Sequence, residues 1–582
     1  MQNETKQCQN CKKDFVIEQE DFNFYEKIKV PPPTFCPECR TIRRLCWRNE
    51  MSLFKRKCDA KDHDESLISI YHPDEKLVVY DNNYWWSDEW DSLSYGKEYD
   101  FSKPFFEQWK ELRDVFPLQC LSNSKATNSD YCNVAEESRD SYMSSASWKI
   151  ERTFYSNRIV GTKDCSDLYI ADKMELSYDD VICFNCYHVL YSLNCINCVD
   201  SYFLYDCHGC TNCFGCSNLR SKSYCMWNEQ LTQEEYNERL SKINLKNYNE
   251  IVKIKEKFKL LCLKSLHRFA IHVKTTNCIG DNLGDAKNCK ICFDVNDKVE
   301  DSKYIHWARN NIKDVYDSGP GIGLLELGYE VFDTGAGGGN ILFGSVVYYG
   351  QDIQYSFNCY GCSNLFGCIG LRNKNYCILN KQYSKEEYEK LVPKIKEQMN
   401  KVPYVDKKGI IYKYGEFFPA ELSPFCYNET QAQDYFPLTK EKALEMGHRW
   451  RERKINEYKI TIKAQDLSEN LDEIKDSITQ EIIGCAHEGK CQDRCTGAFR
   501  ITKEELNLYR RIGVPIPHLC FFCRHEARLR MRNPMKLWHR QCMCDKTNHI
   551  HKGKCEVEFE TSYSPDRPEI IYCERCYQQE IY

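Results

Sequence analysis

Two different rhythms of apolar and polar residues run along this chain. Near each end, residues 15–17 and 499–501 alternate as short strands do. Phe22, Tyr25 and Ile28 then recur at helical spacing within EQEDFNFYEKI (18–28), which predicts an amphipathic helix. Thr502 and Glu505 stand in capping-box positions for the matching helix of the second copy. The runs VPPP (30–33) and VPIP (514–517) stop those helices, and RTIRRLCWRNEMSLF (40–54) and RHEARLRMRNP (524–534) predict a second helix in each copy. In the centre the rhythm changes. Short pieces such as DLYI, HVLYS and SYFLY alternate with Asn, Asp, Ser and Gly, as turns of stacked strands do.

The terminal segments are two copies of one module. At a constant offset of 484, Cys11, Phe15, Tyr25, Cys36, Cys39, Arg40 and Arg44 meet Cys495, Phe499, Tyr509, Cys520, Cys523, Arg524 and Arg528. Each copy carries two thiol pairs separated by a hydrophobic stretch, the spacing of a tetrahedral zinc site. The expected ligands are Cys8, Cys11, Cys36 and Cys39 in the first copy, and Cys491, Cys495, Cys520 and Cys523 in the second. A third site is expected at the C-terminus from His551, Cys555, Cys573 and Cys576, with His549, Cys542 and Cys544 as competitors. Zn(II), about three per chain, is the expected cofactor, because about 50 residues cannot bury enough surface alone. Four thiolates leave no open position on the metal, which points to structural sites.

The string C-x2-C-x3-F…FY…P…C-x2-C-R resembles the zinc-ribbon domain found in many bacterial proteins. The stretches DFSKPFFEQW, LRNKNYCILNKQYSKEEYEKL, GEFFPAELSPFCYNET and FETSYSPDRPEIIYCERCY also resemble a family of cysteine-rich proteins from candidate-phylum bacteria. That resemblance implies zinc fingers and no particular activity.

Arg40, Arg44 and Arg48 lie at i, i+4 and i+8 of a predicted helix, and Arg524, Arg528 and Arg532 repeat the stripe. Residues 1–58 hold 12 Lys and Arg against 8 Asp and Glu, and residues 485–542 hold 12 against 5, within a chain of net charge −6. A basic helix leaving a zinc knuckle is a phosphate-binding surface, so RNA or DNA is the expected partner at these six arginines. The competing readings are a solvated helix face that pairs with the protein's own acidic centre, and a protein partner.

The centre is duplicated too. CHGCTNCFGCSNLRSKSYCMWNEQLTQEEY (207–236) matches CYGCSNLFGCIGLRNKNYCILNKQYSKEEY (359–388) at an offset of 152, and Cys183, Cys195 and Cys207 recur with a period of twelve. Leu365 stands where Cys213 would be, which argues against a metal cluster and for thiols packed in a narrow interior. Thr232 and Ser384 are expected to cap helices over about 232–258 and 384–400 that close each stack.

The expected fold is multi-domain and mainly β: two cysteine-rich β-solenoid-like repeats with helical caps, flanked by treble-clef or zinc-ribbon modules. The expected segments are a finger at 1–58, an aromatic bridge at 59–125, solenoids at 126–260 and 261–401, a connecting segment at 402–484, the second finger at 485–542, and a C-terminal ribbon at 543–582.

Of the 37 cysteines many fall in Cys-x-x-Cys pairs, no apolar leader follows Met1 and no long apolar run occurs, so a reducing cytoplasm and no membrane contact are expected. No phosphate loop, His-Glu-x-x-His or Gly-x-Ser-x-Gly is present. GAGGG (335–339) reads as a corner or loop. The chain is therefore read as a binding scaffold, with catalysis in a solenoid groove as the alternative.

Overall fold

The computed structural model describes residues 2–335, 337–452, 458–491 and 494–582. Ala336 of the GAGGG run, residues 453–457 of the expected connecting segment and residues 492–493 of the second module lie outside that description. The chain is mainly β, with 41 strands and 12 α-helices among the described residues. None of these helices is long and apolar enough to cross a membrane. Two compact units are each assembled from separated segments, residues 1–121 with 270–451 and residues 122–269 with 452–582. One unit thus holds the N-terminal module with the second repeat, and the other holds the first repeat with the C-terminal modules.

In the second unit the strands pair in parallel with a constant step of twelve. Asn157 faces Tyr169, Tyr169 faces Val181, Tyr187 faces Val199 and Tyr202 faces Phe214. Beneath that step lies a step of three. Ile170, Lys173, Leu176, Asp179, Ile182, Asn185, His188 and Tyr191 all take left-handed backbone, with φ of 50–57°. The residue after each is enclosed: Ala171, Met174, Ser177, Asp180, Cys183, Cys186, Val189 and Ser192 are 0–2% exposed. Left-handed backbone costs an L-residue about 1–2 kcal/mol and is most tolerable for Asn and Asp, which accounts for their abundance here. Neighbouring turns satisfy the backbone in exchange, as where Asn185 N–H donates to the Asp172 carbonyl (2.8 Å) and Asp206 N–H to that of Leu193 (3.0 Å).

Inward positions at every third residue leave a narrow interior that favours small side chains. Cysteine and serine serve it alike, because each donates to the carbonyl two residues earlier. Cys183 Sγ reaches Val181 (3.5 Å) and Cys195 Sγ reaches Leu193 (3.5 Å). Ser192 Oγ reaches Leu190 (3.1 Å) and Ser201 Oγ reaches Val199 (2.7 Å). Burial raises the Cys165 and Cys195 thiols and keeps them neutral, whereas the thiols of Cys198, Cys207 and Cys213 hold Cys210 low.

The first unit builds its stack the same way with a longer stride. Val299 faces Ile312 and Lys303 faces Tyr316, a step of thirteen, before Gly338 faces Gly350 at a step of twelve. Successive steps of thirteen run from Lys290 through Lys303, Tyr316 and Tyr329 to Leu342. The offset between equivalent residues of the two repeats accordingly grows from 149 at Tyr155 and Tyr304, through 150 at Asp167 and Asp317 and 151 at Asp179 and Glu330, to 152 at Tyr191 and Phe343.

Each stack carries a matching aromatic ladder. In one, ring centroids are 5.5 Å apart for Tyr178–Tyr191, 4.8 Å for Tyr191–Phe203 and 5.5 Å for Phe203–Phe214. In the other they are 5.5 Å for Tyr329–Phe343, 4.4 Å for Phe343–Tyr355 and 5.5 Å for Tyr355–Phe366. The aromatic segments flanking the first unit's stack pack inside that unit. Trp109 is fully buried, 4.6 Å from the Phe418 ring and 5.7 Å from that of Trp47.

Both stacks end in an antiparallel hairpin, Cys225–Met226 with Glu229–Gln230 and Asn375–Ile378 with Lys381–Gln382. Capped helices follow. Thr232 and Glu235 form a capping box on Gln233–Ser241, and Ser384 and Glu387 form one on Lys385–Lys401. The first closing helix is broken, resuming at Tyr248–Lys264 behind an Asn247 cap. Turning the last strand back and following it with a helix blunts an edge that would otherwise pair with another chain.

Interior thiols should tolerate serine and reject bulk. Cys165→Ser should leave metal content and unfolding midpoint nearly unchanged, while Cys165→Phe should cost about 1–3 kcal/mol by overpacking. Chemical denaturation of the two variants checks this, and a large loss with serine would show that the thiol does more than fill space.

Candidate metal centres and the arginine interface

Three thiol clusters share one construction: a short antiparallel hairpin followed by a helix that begins at a Cys-x2-Cys pair. In the first, Glu4–Gln7 pairs with Asp14–Ile17 and carries Cys8 and Cys11 at its tip, while Cys36 is the N-cap of helix Pro37–Leu45. In the second, Ile483–Gly484 pairs with Ala498–Phe499 and Cys520 caps Phe521–Leu529. In the third, Trp538–Gln541 pairs with Glu558–Thr561 and Cys573 caps Glu574–Ile581.

One hydrogen bond recurs in all three, from the N–H of the capping cysteine to the first thiol of the hairpin. It measures 3.2 Å for Cys36 to Cys8, 3.3 Å for Cys520 to Cys485 and 3.1 Å for Cys573 to Cys542. A helix N-terminus favours thiolate over thiol. The Cys36 and Cys39 thiols hold Cys8 far below its usual range, and Cys485 and Cys523 do the same for Cys520. Each of these two clusters is thus already biased toward one thiolate.

The ligand atoms of Cys8, Cys11, Cys36 and Cys39 all lie within 4.8 Å of one another, as do those of Cys485, Cys495, Cys520 and Cys523, and of Cys542, Cys555, Cys573 and Cys576. The first set is the one expected from spacing; the other two are corrections. Cys485, not Cys491, completes the second cluster, and Cys491 Sγ stands beside it, 3.6 Å from Cys523 Sγ. Cys485 precedes Cys520 by 35 positions where Cys8 precedes Cys36 by 28, so an insertion of seven hides the correspondence. The strand-like EIIG before Cys485 is the signal that finds it.

In the third cluster Cys542 takes the place expected for His551. Its counterpart in the first unit is Cys58, where Asp81 stands in place of Cys573. Asp81 caps helix Asn82–Trp86 and its N–H donates to Cys58 Sγ (3.4 Å), so the same backbone frame persists with a carboxylate at the capping position.

The arginine stripes are turned largely inward. Arg40, Arg44, Arg48 and Arg528 are 1–3% exposed and face buried carboxylates within their own units. Arg40 lies 2.9 Å from Asp317 and Arg44 3.5 Å from Glu330. Arg48 contacts Glu50 (2.6 Å) and Asp333 (3.2 Å). In the other unit Arg524 and Arg528 lie 3.2 and 2.7 Å from Asp167, and Arg528 lies 3.6 Å from Asp179. Arg532 is half-buried. Arg43, which the stripe does not include, is also buried, between Glu330 and Glu416. The expected pairing with the protein's own acids is present, from a buried and not a solvated face, and the stripe recurs in both copies because each docks a module onto its own stack.

Equivalent carboxylates receive equivalent arginines, and equivalent tyrosines meet, Tyr25 with Tyr329 at 5.5 Å and Tyr509 with Tyr178 at 5.8 Å. Burial raises Glu330 to about 7 against the pull of Arg43 and Arg44, so protonation can relieve part of any lost arginine there.

No family model matches the chain and no curated protein matches it. Among solved structures it is similar to a "putative acetyltransferase" from Desulfovibrio desulfuricans G20 at 9% identity, with a TM-score of 0.10, over 40% of this chain and 63% of that one. The chain thus spans less than two thirds of that structure, and a likeness of this size carries no argument about fold or activity.

Arg528→Met keeps the side-chain volume while leaving Asp167 without its closest cation, so it should destabilise the second unit by about 3–5 kcal/mol. Denaturant titration of the full chain checks this; an unchanged midpoint would show that the pair with Asp167 does not hold the unit together. Separately, Cys485→Ser should release one metal ion per chain and Cys491→Ser should retain it, as read by elemental analysis after gel filtration.

Proposed function

We propose that this protein is a zinc-stapled binding scaffold in which treble-clef fingers are docked on β-solenoids. The observation that carries this reading is the threefold recurrence of four mutually adjacent thiols at a hairpin tip and a helix start. Tetrahedral sulfur sites suit zinc or iron, and the resemblance of the terminal modules to bacterial zinc ribbons favours zinc. With all four positions taken by thiolates, no site remains on the metal for water or substrate, so the ion's role is to hold the fold. The regular step that stacks the strands supports reading the repeats as solenoids, rigid bodies that present a long outer face. A reducing compartment suits 37 free thiols.

A protein is the favoured partner over RNA or DNA, because the arginines that carried the phosphate reading are engaged in interior ion pairs. Metal analysis of the protein purified under reducing conditions should find at least three zinc ions per chain. Chelation should abolish cooperative unfolding of the finger segments, since structural zinc contributes roughly 10–16 kcal/mol of apparent binding free energy. Hydrogen exchange at residues 4–57 before and after chelation reads the effect directly. Unchanged protection after complete metal removal would refute the reading. Tight nucleic-acid binding that weakens steeply with salt would replace the favoured partner.

A further inference from the structure

A second group of metal-binding side chains adjoins the C-terminal cluster and shares one thiol with it. The ligand atoms of Cys544, His549, His551 and Cys576 lie within 4.8 Å of one another, and Cys576 also belongs to the set with Cys542, Cys555 and Cys573. We infer that the C-terminal module holds two zinc ions joined by the Cys576 thiolate, one bound by four thiolates and the other by Cys544, His549, His551 and Cys576. This rests on the zinc reading of the thiol clusters and extends it.

The orientation of both imidazoles supports the assignment. His549 points Nδ1 at Cys544 Sγ (3.1 Å), and its Nε2 lies 2.8 Å from Glu580 Oε1. A carboxylate only accepts, so the proton sits on Nε2 and the Nδ1 lone pair faces the cluster. His551 is held the opposite way round. Its Nδ1 lies 2.8 Å from the Gly553 carbonyl, which likewise only accepts, so Nδ1 carries the proton. That leaves the His551 Nε2 lone pair buried and with no hydrogen-bond partner. A buried nitrogen without a partner is costly unless something fills it, and a metal ion does. Carboxylate and carbonyl anchors on the distal nitrogen are the outer-shell arrangement that fixes a metal-binding histidine's tautomer.

The chain around the site is arranged to the same end. Helix Glu574–Ile581 presents Cys576 and Glu580 one turn apart, so bridging ligand and imidazole anchor come from one face. Gln579 of that helix accepts the Ile550 N–H (3.3 Å), tying down the segment between the two histidines. Charge favours the second ion too. Four thiolates around one Zn(II) leave a net −2; adding Zn(II) with the Cys544 thiolate and two neutral imidazoles brings the pair to −1.

The test is metal stoichiometry by difference in the full-length chain. His549→Ala/His551→Ala should bind one zinc fewer than the parent, with the parent's other ions retained; equal counts would overturn the second ion. Glu580→Gln, which keeps the side chain's size and loses the carboxylate, should weaken that one zinc by about 10–100-fold in a chelator competition, as loss of an outer-shell partner does. An unchanged competition curve would count against the assignment. Replacing zinc with ¹¹³Cd separates a bridge from two isolated sites. Two resonances split by mutual coupling support the shared Cys576 thiolate, and unsplit resonances overturn it. A parent chain holding no zinc would instead sink the thiol-cluster reading itself.

Discussion

Much of this molecule follows from a backbone that turns left-handed at every third residue of its strand stacks. That step places the following side chain in a narrow interior and leaves little room for anything large. Cysteine suits the position because it is small and apolar, and its S–H reaches a carbonyl two residues earlier, as serine's hydroxyl does. Most of the central cysteines are thus explained by packing, and their number says little about metal. The same step sets the outside of the stack, where equivalent positions of successive turns stand above one another as aromatic ladders and paired carboxylates.

Those carboxylates decide where the terminal modules go. Asp167 and Asp179 in one stack, and Asp317 and Glu330 in the other, meet arginines one helical turn apart. A turn of helix rises about as far as one turn of the stack, because helical pitch and strand spacing are nearly commensurate. One arginine stripe can therefore follow one column of acids. Breaking such a buried pair is expensive, whereas forming it gains little over an apolar contact. The interface therefore specifies which surface docks on which more than it adds stability. The two units repeat this contact although one stack has longer turns, because the contact spans neighbouring turns and not the whole repeat.

The thiol clusters reuse one frame. A hairpin thiol accepting the N–H of a helix-capping residue appears three times with a capping cysteine and four thiols, and once with Asp81 at the capping position.

Local and periodic features were legible in the chain alone. The duplicated Cys-x2-Cys modules, the capping boxes at Thr232, Ser384 and Thr502, and the period of twelve all follow from nearest-neighbour chemistry and spacing. The first ligand set was legible for the same reason, since only a tight turn lies between Cys8 and Cys11. Cys485 was not, because it stands well upstream of Cys495 and only the closing hairpin brings them together. His551 was placed with Cys555 by spacing, but the closing hairpin brings Cys542 to that set, and His551 falls with Cys544, His549 and Cys576 instead. The fate of the arginines was settled by long-range packing. A basic helix stripe looks the same in sequence whether it faces phosphate or a column of buried acids, and the acids that Arg40 and Arg528 meet lie hundreds of residues away along the chain.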